Sequence, residues 1–334
     1  MNKKHVMIFL ILLTLILNLC FAQKLELHCI DVGQGDAILI TYSEPGRDVV
    51  MLIDAGSRAE YPKLQSYLQS KSISKIDYLV ATHPHEDHIG GMSGVINHYP
   101  IGQIYMPHAS TTTKTFLNLL ESIKKKNMKI NRARTGVTFF FGDNVKVAFL
   151  GPVKDSYDNL NNYSAIIRVE YGEISFLLMG DAEQEAERDL LSLGIDIRST
   201  IIKVGHHGSI TSSSLDLLNA VRPVHAVISV GNNTYGHPHS ATLLNLPQEN
   251  TYRTDVNGSV AFITDGSKLT IAVDKRNAVV TNQEGVVFGN KNSKIFHYPS
   301  CKSVTAMSEK NIIVFPTREE AVKSGFRPCS QCAK

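Results

Sequence analysis

Beyond residue 22 the sequence has no apolar run long enough to cross a bilayer, no internal repeat of fixed period and no low-complexity tract. It also lacks a strong net charge. Residues 1–22 carry Lys3 and Lys4 and no acid, so the remainder holds 32 Lys and Arg against 31 Asp and Glu. That balance excludes a strong general attraction to polyanions. No Ser-His-Asp or catalytic Cys arrangement stands out, which leaves hydrolysis by an activated side-chain nucleophile without candidates. Cysteine is scarce and crowded: positions 20, 29, 301, 329 and 332, three of them near one end.

What is present begins with a targeting segment. Lys3 and Lys4, the apolar run from Val6 to Phe21 and the group Cys20-Phe21-Ala22 read as a signal peptide cut after Ala22, giving a secreted protein with no stable membrane insertion. A retained N-terminal anchor is the alternative. Lipid attachment at Cys20 is opposed by the bulk of Leu19. The 334 residues allow one large domain and an appendage: signal peptide 1–22, main domain 23–275, polar linker 276–289 and a C-terminal unit 290–334. Nothing fixes an oligomeric state.

From Leu25 onward, short β-rich runs alternate with helical ones. Leu25 to Ile30, Asp36 to Tyr42, Val49 to Ile53 and Asp77 to Thr82 read as strands, with a helix from Tyr61 to Ser70. A second group repeats the plan, with strands over Phe139 to Leu150, Tyr163 to Tyr171, Glu173 to Met179 and Ile201 to Val204. Its helices run from Glu183 to Leu193 and from Ser212 to Val221, and later strands cover Val224 to Val230 and Lys268 to Val273. Two β-then-α halves predict an α/β fold, a four-layer αββα sandwich with its site at the strand ends.

Candidate ligands sit at those ends. His83-Pro-His85-Glu-Asp87-His88 places three histidines and an aspartate within six residues after a buried strand, imidazole and carboxylate ligands that suit zinc or manganese. His83 and His85 can face one cation, Asp87 and His88 a second. Gly180-Asp181 puts a carboxylate just past a strand, where it could bridge both. Gly205-His206-His207-Gly208 supplies one further ligand, His207 being favoured, and leaves His206 to touch substrate or donate a hydrogen bond. Asp54 could orient a ligand histidine or cap a turn. Asp31 and Asp36 flank a Gly-rich turn and read as a hairpin. His237 follows a strand and could contact phosphate or be an ordinary surface histidine.

These motifs resemble those of the metallo-β-lactamase superfamily. Asp31-Val-Gly-Gln-Gly-Asp36, Leu52-Ile-Asp54-Ala-Gly56, Asn162-x-Ser164 and Tyr235-Gly-His237-Pro-His239 are more closely similar to the hydrolase domain of the ComEC competence family, over about residues 25–273. The resemblance implies a metallo-β-lactamase fold, a site for two divalent cations (Zn or Mn), and a nuclease acting on DNA. It assigns Asn162 and Ser164 a supporting place around the ligands. The further histidine usual in the superfamily is missing from Leu160-Asn-Asn-Tyr-Ser164, so one cation keeps only His83, His85 and Asp181 and should bind more weakly.

The C-terminal unit carries His297-x3-Cys301-x27-Cys329-x2-Cys332, two close pairs of soft or borderline ligands, as in a closed structural zinc site. A disulfide between Cys329 and Cys332 is the alternative in an oxidising compartment. The segment is similar to the zinc-binding domain of the Ada DNA-repair family, with His297 in place of its first cysteine. Residues 290–334 hold eight Lys and Arg against three Glu, which fits a DNA-docking or structural role. The expected function is a secreted metal-dependent hydrolase that cleaves phosphodiester bonds, foremost in DNA, through a hydroxide bridging the cations. The alternatives are a phosphodiesterase acting on cell-wall polymers or phosphorylcholine, and a non-catalytic binder of DNA or another anionic polymer.

Overall fold

The computed structural model describes residues 23–275, 287–298, 301, 303, 307, 311–315 and 318–330. These pack as two units divided at residue 276. The signal-peptide reading, most of the linker and Cys332 lie outside the described residues.

In the first unit the strands are β1 (Lys24–Cys29), β2 (Ile38–Glu44), β3 (Arg47–Ile53), β4 (Ile76–Val80), β5 (Ile101–Met106), β6 (Ile130–Arg132), β7 (Thr138–Phe141) and β8 (Val145–Phe149). They continue with β9 (Ile167–Tyr171), β10 (Ile174–Leu178), β11 (Ile201–Lys203), β12 (His225–Ile228), β13 (Thr251–Arg253), β14 (Val260–Thr264) and β15 (Leu269–Val273). One eight-stranded sheet has the order β15-β14-β1-β2-β3-β4-β5-β6, and a seven-stranded sheet the order β13-β12-β11-β10-β9-β8-β7.

Alternation along the strands explains why two sheets stack. On β3, Val49, Met51 and Ile53 enter the core between the sheets, while Val50 and Leu52 face the opposite way. On β10, Phe176 and Leu178 face inward, and Leu177 outward. Both faces of these central strands are apolar, so each sheet must be covered twice. Helices Tyr61–Ser70, Met92–His98 and Lys114–Lys125 bury the outer face of the first sheet, with Leu64, Leu68, Val95, Phe116 and Leu119 in that contact. Helices Gln184–Ser192 and Leu215–Val221 cover the second through Ala186, Leu190, Leu217 and Val221. The result is the four-layer αββα sandwich. No helix among the described residues is long and apolar enough to cross a membrane.

Several local expectations need correction. Phe139 to Leu150 is not one strand but the β7–β8 hairpin, because Gly142 takes φ 72° in the turn before Asp143 and Asn144. Tyr163 to Tyr171 begins as strand only at Ile167, since Leu160–Tyr163 closes into a 3-10 turn. The helix expected from Ser212 starts at Leu215, with the Ser214 hydroxyl accepting from the Leu217 N–H.

The second unit is a four-stranded sheet of β16 (Val287–Asn290), β17 (Ile295–His297), β18 (Ile312–Phe315) and β19 (Arg327–Pro328), in the order β18-β16-β17-β19. β16 begins inside the stretch read as linker, and Phe288 pairs with His297. Its core is small: Val287, Phe296, Cys301, Phe315, Ala321, Phe326 and Cys329. His297, Cys301 and Cys329 are all buried, with ligand atoms within 4.8 Å of one another and His297 Nδ1 3.4 Å from Cys301 Sγ. With a core of this size, folding of the unit is expected to depend on a metal. Chelation under reducing conditions should therefore render residues 290–334 protease-sensitive while residues 23–275 stay intact. Limited proteolysis followed by mass spectrometry checks this, and a tail equally resistant with and without metal would remove the structural-zinc reading.

Candidate active site

The ligand types expected from the sequence meet where the two sheets end. β4 leads into Thr82 and His83, and the short helix Glu86–Ile89 follows with Asp87 and His88. From the other sheet, β10 leads to Asp181 and β11 to His206 and His207. His88 Nε2 and His207 Nε2 lie 3.2 Å and 3.3 Å from Asp181 Oδ2, and His207 Nε2 is 3.2 Å from Asp87 Oδ2. Beside them, His83 Nε2 is 3.0 Å from His85 Nδ1 and 4.0 Å from Asp181 Oδ2.

Hydrogen bonds behind the rings fix which nitrogen faces inward. His88 Nδ1 lies 2.7 Å from Asp54 Oδ2, and His207 Nδ1 lies 2.8 Å from the Ser229 carbonyl. Both outer nitrogens must then carry the proton, so both Nε2 atoms turn toward Asp181. Asp54 also accepts from the Thr82 N–H at 2.8 Å and from its hydroxyl at 2.6 Å, with His83 Nδ1 3.1 Å from that hydroxyl. The orienting role considered for Asp54 thus has its geometry. Ser164 Oγ accepts the Asp181 N–H at 2.9 Å, and Asn162 Oδ1 accepts the Glu183 N–H at 3.0 Å, so both hold the segment that presents Asp181.

Five residues were not legible as functional. Asp36 is the last residue of the Gly-rich turn, yet it is buried and ion-paired with Lys203. Lys203 is fully buried, follows the inward parity of Ile201 on β11, and also donates to the Gly180 carbonyl at 3.2 Å. A lysine at an inward strand position was the available signal. Glu183 Oε1 lies 3.2 Å from His206 Nδ1 and accepts from Asn161 Nδ2 at 2.9 Å. Tyr235 and Asn161 line the cleft over the site, about 620 Å³ in volume, together with His85, Asp87, Asp181, His206, His207 and His237.

The backbone is strained where it presents the paired histidines. His206 and His207 both adopt left-handed geometry, with φ 46° and 52°, at a cost of about 1–2 kcal/mol per residue. Gly208 between them and the next loop has φ 80°, and a Cβ there would sit 2.6 Å from Pro238 Cβ. The His237 ring packs 5.2 Å from the His206 ring.

Electrostatically the site is a trap for positive charge. Burial opposes ionisation of Asp181, but the His207 and His88 imidazoles outweigh it and hold the carboxyl well below its usual range. Burial disfavours charge on His88 too, yet Asp181, Asp54 and Asp87 push it well above the ordinary value. His207 is likewise pushed up, against burial, by Asp181 and Asp87, to about 10. His83, buried and beside His88, is pushed well down and stays neutral. His88 Nε2, His207 Nε2 and Asp181 Oδ1 are buried without a hydrogen-bond partner. Buried ring nitrogens without a hydrogen-bond partner, converging around carboxylates, fit a divalent cation, which would replace the two imidazolium protons.

Two expectations follow. In the metal-free protein, His207 protonation contributes stability that is fully present below its ordinary value of 6.5 and is lost as pH rises toward about 10. Over the same window cation affinity should rise with pH, because binding must expel that proton. Titration calorimetry near pH 7.5 in buffers of different ionisation enthalpy should show at least about one proton released per cation; none would mean that His207 is not a ligand. The second expectation concerns the floor of the site. Lys203→Met should destabilise the first unit by about 3–5 kcal/mol, by leaving Asp36 buried and unpaired, and Lys203→Met with Asp36→Leu should recover much of the loss in denaturant unfolding. Equal losses in the single and double variants would show that the pair is not coupled.

Comparison with known proteins gives a family for each unit. Residues 30–232 match the family described as the metallo-beta-lactamase superfamily, and residues 271–334 match the metal binding domain of Ada. ComE operon protein 3 of Bacillus subtilis is 28% identical over 262 residues, covering 73% of this chain and 33% of that protein. Recombination protein 2 of Haemophilus influenzae is 31% identical over 222 residues, covering 65% of this chain and 26% of its own length. The bifunctional transcriptional activator/DNA repair enzyme AdaA of Bacillus subtilis is 38% identical over 61 residues, 18% of this chain and 28% of that protein. The chain spans about a third or less of the length of these relatives.

Proposed function

Because the chain belongs to the metallo-β-lactamase superfamily, we propose that it is a secreted hydrolase which uses two divalent cations, zinc or manganese, to cleave phosphodiester bonds in DNA. The observation that carries this reading is the convergence of His88 and His207 on Asp181 beside the His83–His85 pair. Asp87, His88, Asp181 and His207 offer ligand atoms within 4.8 Å of one another and would hold one cation. His83 and His85 would hold the other, sharing Asp181. With Asn161 and Asn162 in the segment where the superfamily usually has another histidine, that second set is poorer and binds more weakly.

When bound, such cations supply an acidified water as nucleophile and neutralise charge on the phosphoryl group. The protein's part is orientation. Asp54, Thr82, Ser229 and Ser164 fix the ligands from behind. His206, at the cleft and held through Nδ1 by Glu183, would contact the substrate, with His237 beside it. Relatives named for recombination and DNA repair favour DNA as the substrate. The C-terminal unit is similar to the metal-binding domain of a DNA-repair enzyme and carries the basic excess of the chain, which supports a role in holding a polyanion.

The test is hydrolysis of plasmid, single-stranded DNA, RNA and bis-p-nitrophenyl phosphate with Mn or Zn added. Asp181→Ala should lose more turnover than the roughly 10–100-fold expected when a residue only holds a ligand in place, which is the range expected for Ser164→Ala or Asp54→Asn. Near-native turnover of Asp181→Ala with cation bound would sink the assignment of Asp181 as shared ligand.

A further inference from the structure

One wall of the cleft is built for something other than phosphate. Tyr235 lines it with 75% of its surface exposed, the highest exposure among the large hydrophobic side chains of the first unit. The loop that carries this ring is not loose. The Asn233 side chain donates to the Gly231 and His237 carbonyls, both at 2.8 Å, and accepts the N–H groups of Tyr235 at 3.1 Å and His237 at 3.0 Å. One amide thus closes the turn from both sides and sets the direction of the tyrosine. An aromatic face held open in the lining of the cleft is a surface that a ligand in the cleft would cover.

The rest of the wall narrows what that ligand is. Gln34, Asn161, Asn232, Asn233 and Thr234 line the cleft, and among the described residues the lining includes no lysine or arginine. Away from the cation-binding floor, a substrate is therefore met by amides, hydroxyls, the Glu86 carboxylate and one flat ring, with no fixed positive charge. The Tyr235 ring lies 5.8 Å from His237, at an interplanar angle of 32°, and His237 in turn lies 6.4 Å from His207. The ring stands one side chain beyond the groups that face the reacting centre. A planar, uncharged group attached close to a phosphodiester fits this arrangement, and an unpaired nucleobase is such a group.

We infer that Tyr235 is a stacking platform for an unpaired nucleobase next to the scissile phosphodiester, so that the protein acts on single strands in preference to duplex. The inference rests on the phosphodiesterase reading and deepens it. In a duplex both faces of each base are already stacked on neighbours, and the ring gains access only at an end or a melted position. Stacking tolerates all four bases, so the site should show little sequence preference.

The sequence contains no tryptophan, which makes the test direct. Tyr235→Trp places a single tryptophan, excited apart from the tyrosines, on an exposed loop, and the purified variant should fold. Titration of the cation-loaded variant with a phosphorothioate oligothymidylate strand, which resists cleavage, should quench its emission. An abasic strand of equal length and blunt duplex should not. In the hydrolytic assay, Tyr235→Ala should raise KM on single-stranded DNA on the order of tenfold and leave KM on an abasic strand unchanged, whereas Tyr235→Phe should behave as wild type. Quenching without any cleavage would leave the platform standing and remove the hydrolase reading. Equal loss on intact and abasic strands, or no quenching by a strand that the protein cleaves, would overturn the platform itself.

Discussion

The ion pair between Lys203 and Asp36 joins the two sheets at the one end where every candidate ligand emerges. Lys203 closes β11 of one sheet, and Asp36 enters β2 of the other. Hydrophobic packing between the sheets is non-directional and would tolerate sliding. A fully buried ammonium beside a buried carboxylate does not, because separating the charges in a medium of low dielectric is costly. The same ammonium donates to the Gly180 carbonyl, one residue before Asp181. The relative placement of Asp181 and the His83–His88 loop therefore depends on a pair of charges that touches no substrate.

That clamp also explains how the strain at His206 and His207 is sustained. Left-handed backbone at two successive non-glycine residues persists only where the surroundings determine it. Here β11 ends at Lys203, Ser212 Oγ donates to the Gly205 carbonyl at 2.7 Å, and the His207 ring is fixed by Ser229. The loop after the histidines is tied down too, with the buried Glu187 carboxylate accepting from the Ser213 and Ser214 N–H groups. Each contact lies within or beside the segments that supply ligands, so stability and site geometry share the same residues.

Much of the site was legible because its chemistry concentrates in short segments. Three histidines and an aspartate in six residues, and carboxylates or imidazoles directly after apolar strands, are visible without a structure. Strand alternation exposed the layers for a similar reason: on β3 and β10 neighbouring residues face opposite cores. What escaped depends on contacts between distant segments. Asp36 and Lys203 are 167 positions apart, and the turn chemistry of Gly33 and Gly35 accounted for Asp36 well enough to hide its partner. Glu183 looked like a helix start, which it is, although its carboxylate turns to His206 rather than capping. Cys332 and the signal segment lie outside the described residues.

The division of charge along the chain follows from how the site attracts cations. Asp36, Asp54, Asp87 and Asp181 crowd the floor, and residues 23–289 carry four more acidic than basic side chains. An anionic polymer approaching such a surface meets repulsion until the cations are in place, and the amide-lined wall offers no fixed positive charge to offset it. Strengthening the wall with lysine would compete with the cations for the same carboxylates and weaken the trap on which the chemistry depends. A basic excess confined to residues 290–334 avoids that competition. On the proposed reading, the acidic floor can be as negative as cation binding requires, while long-range attraction for a polyanion would fall to the basic residues 290–334.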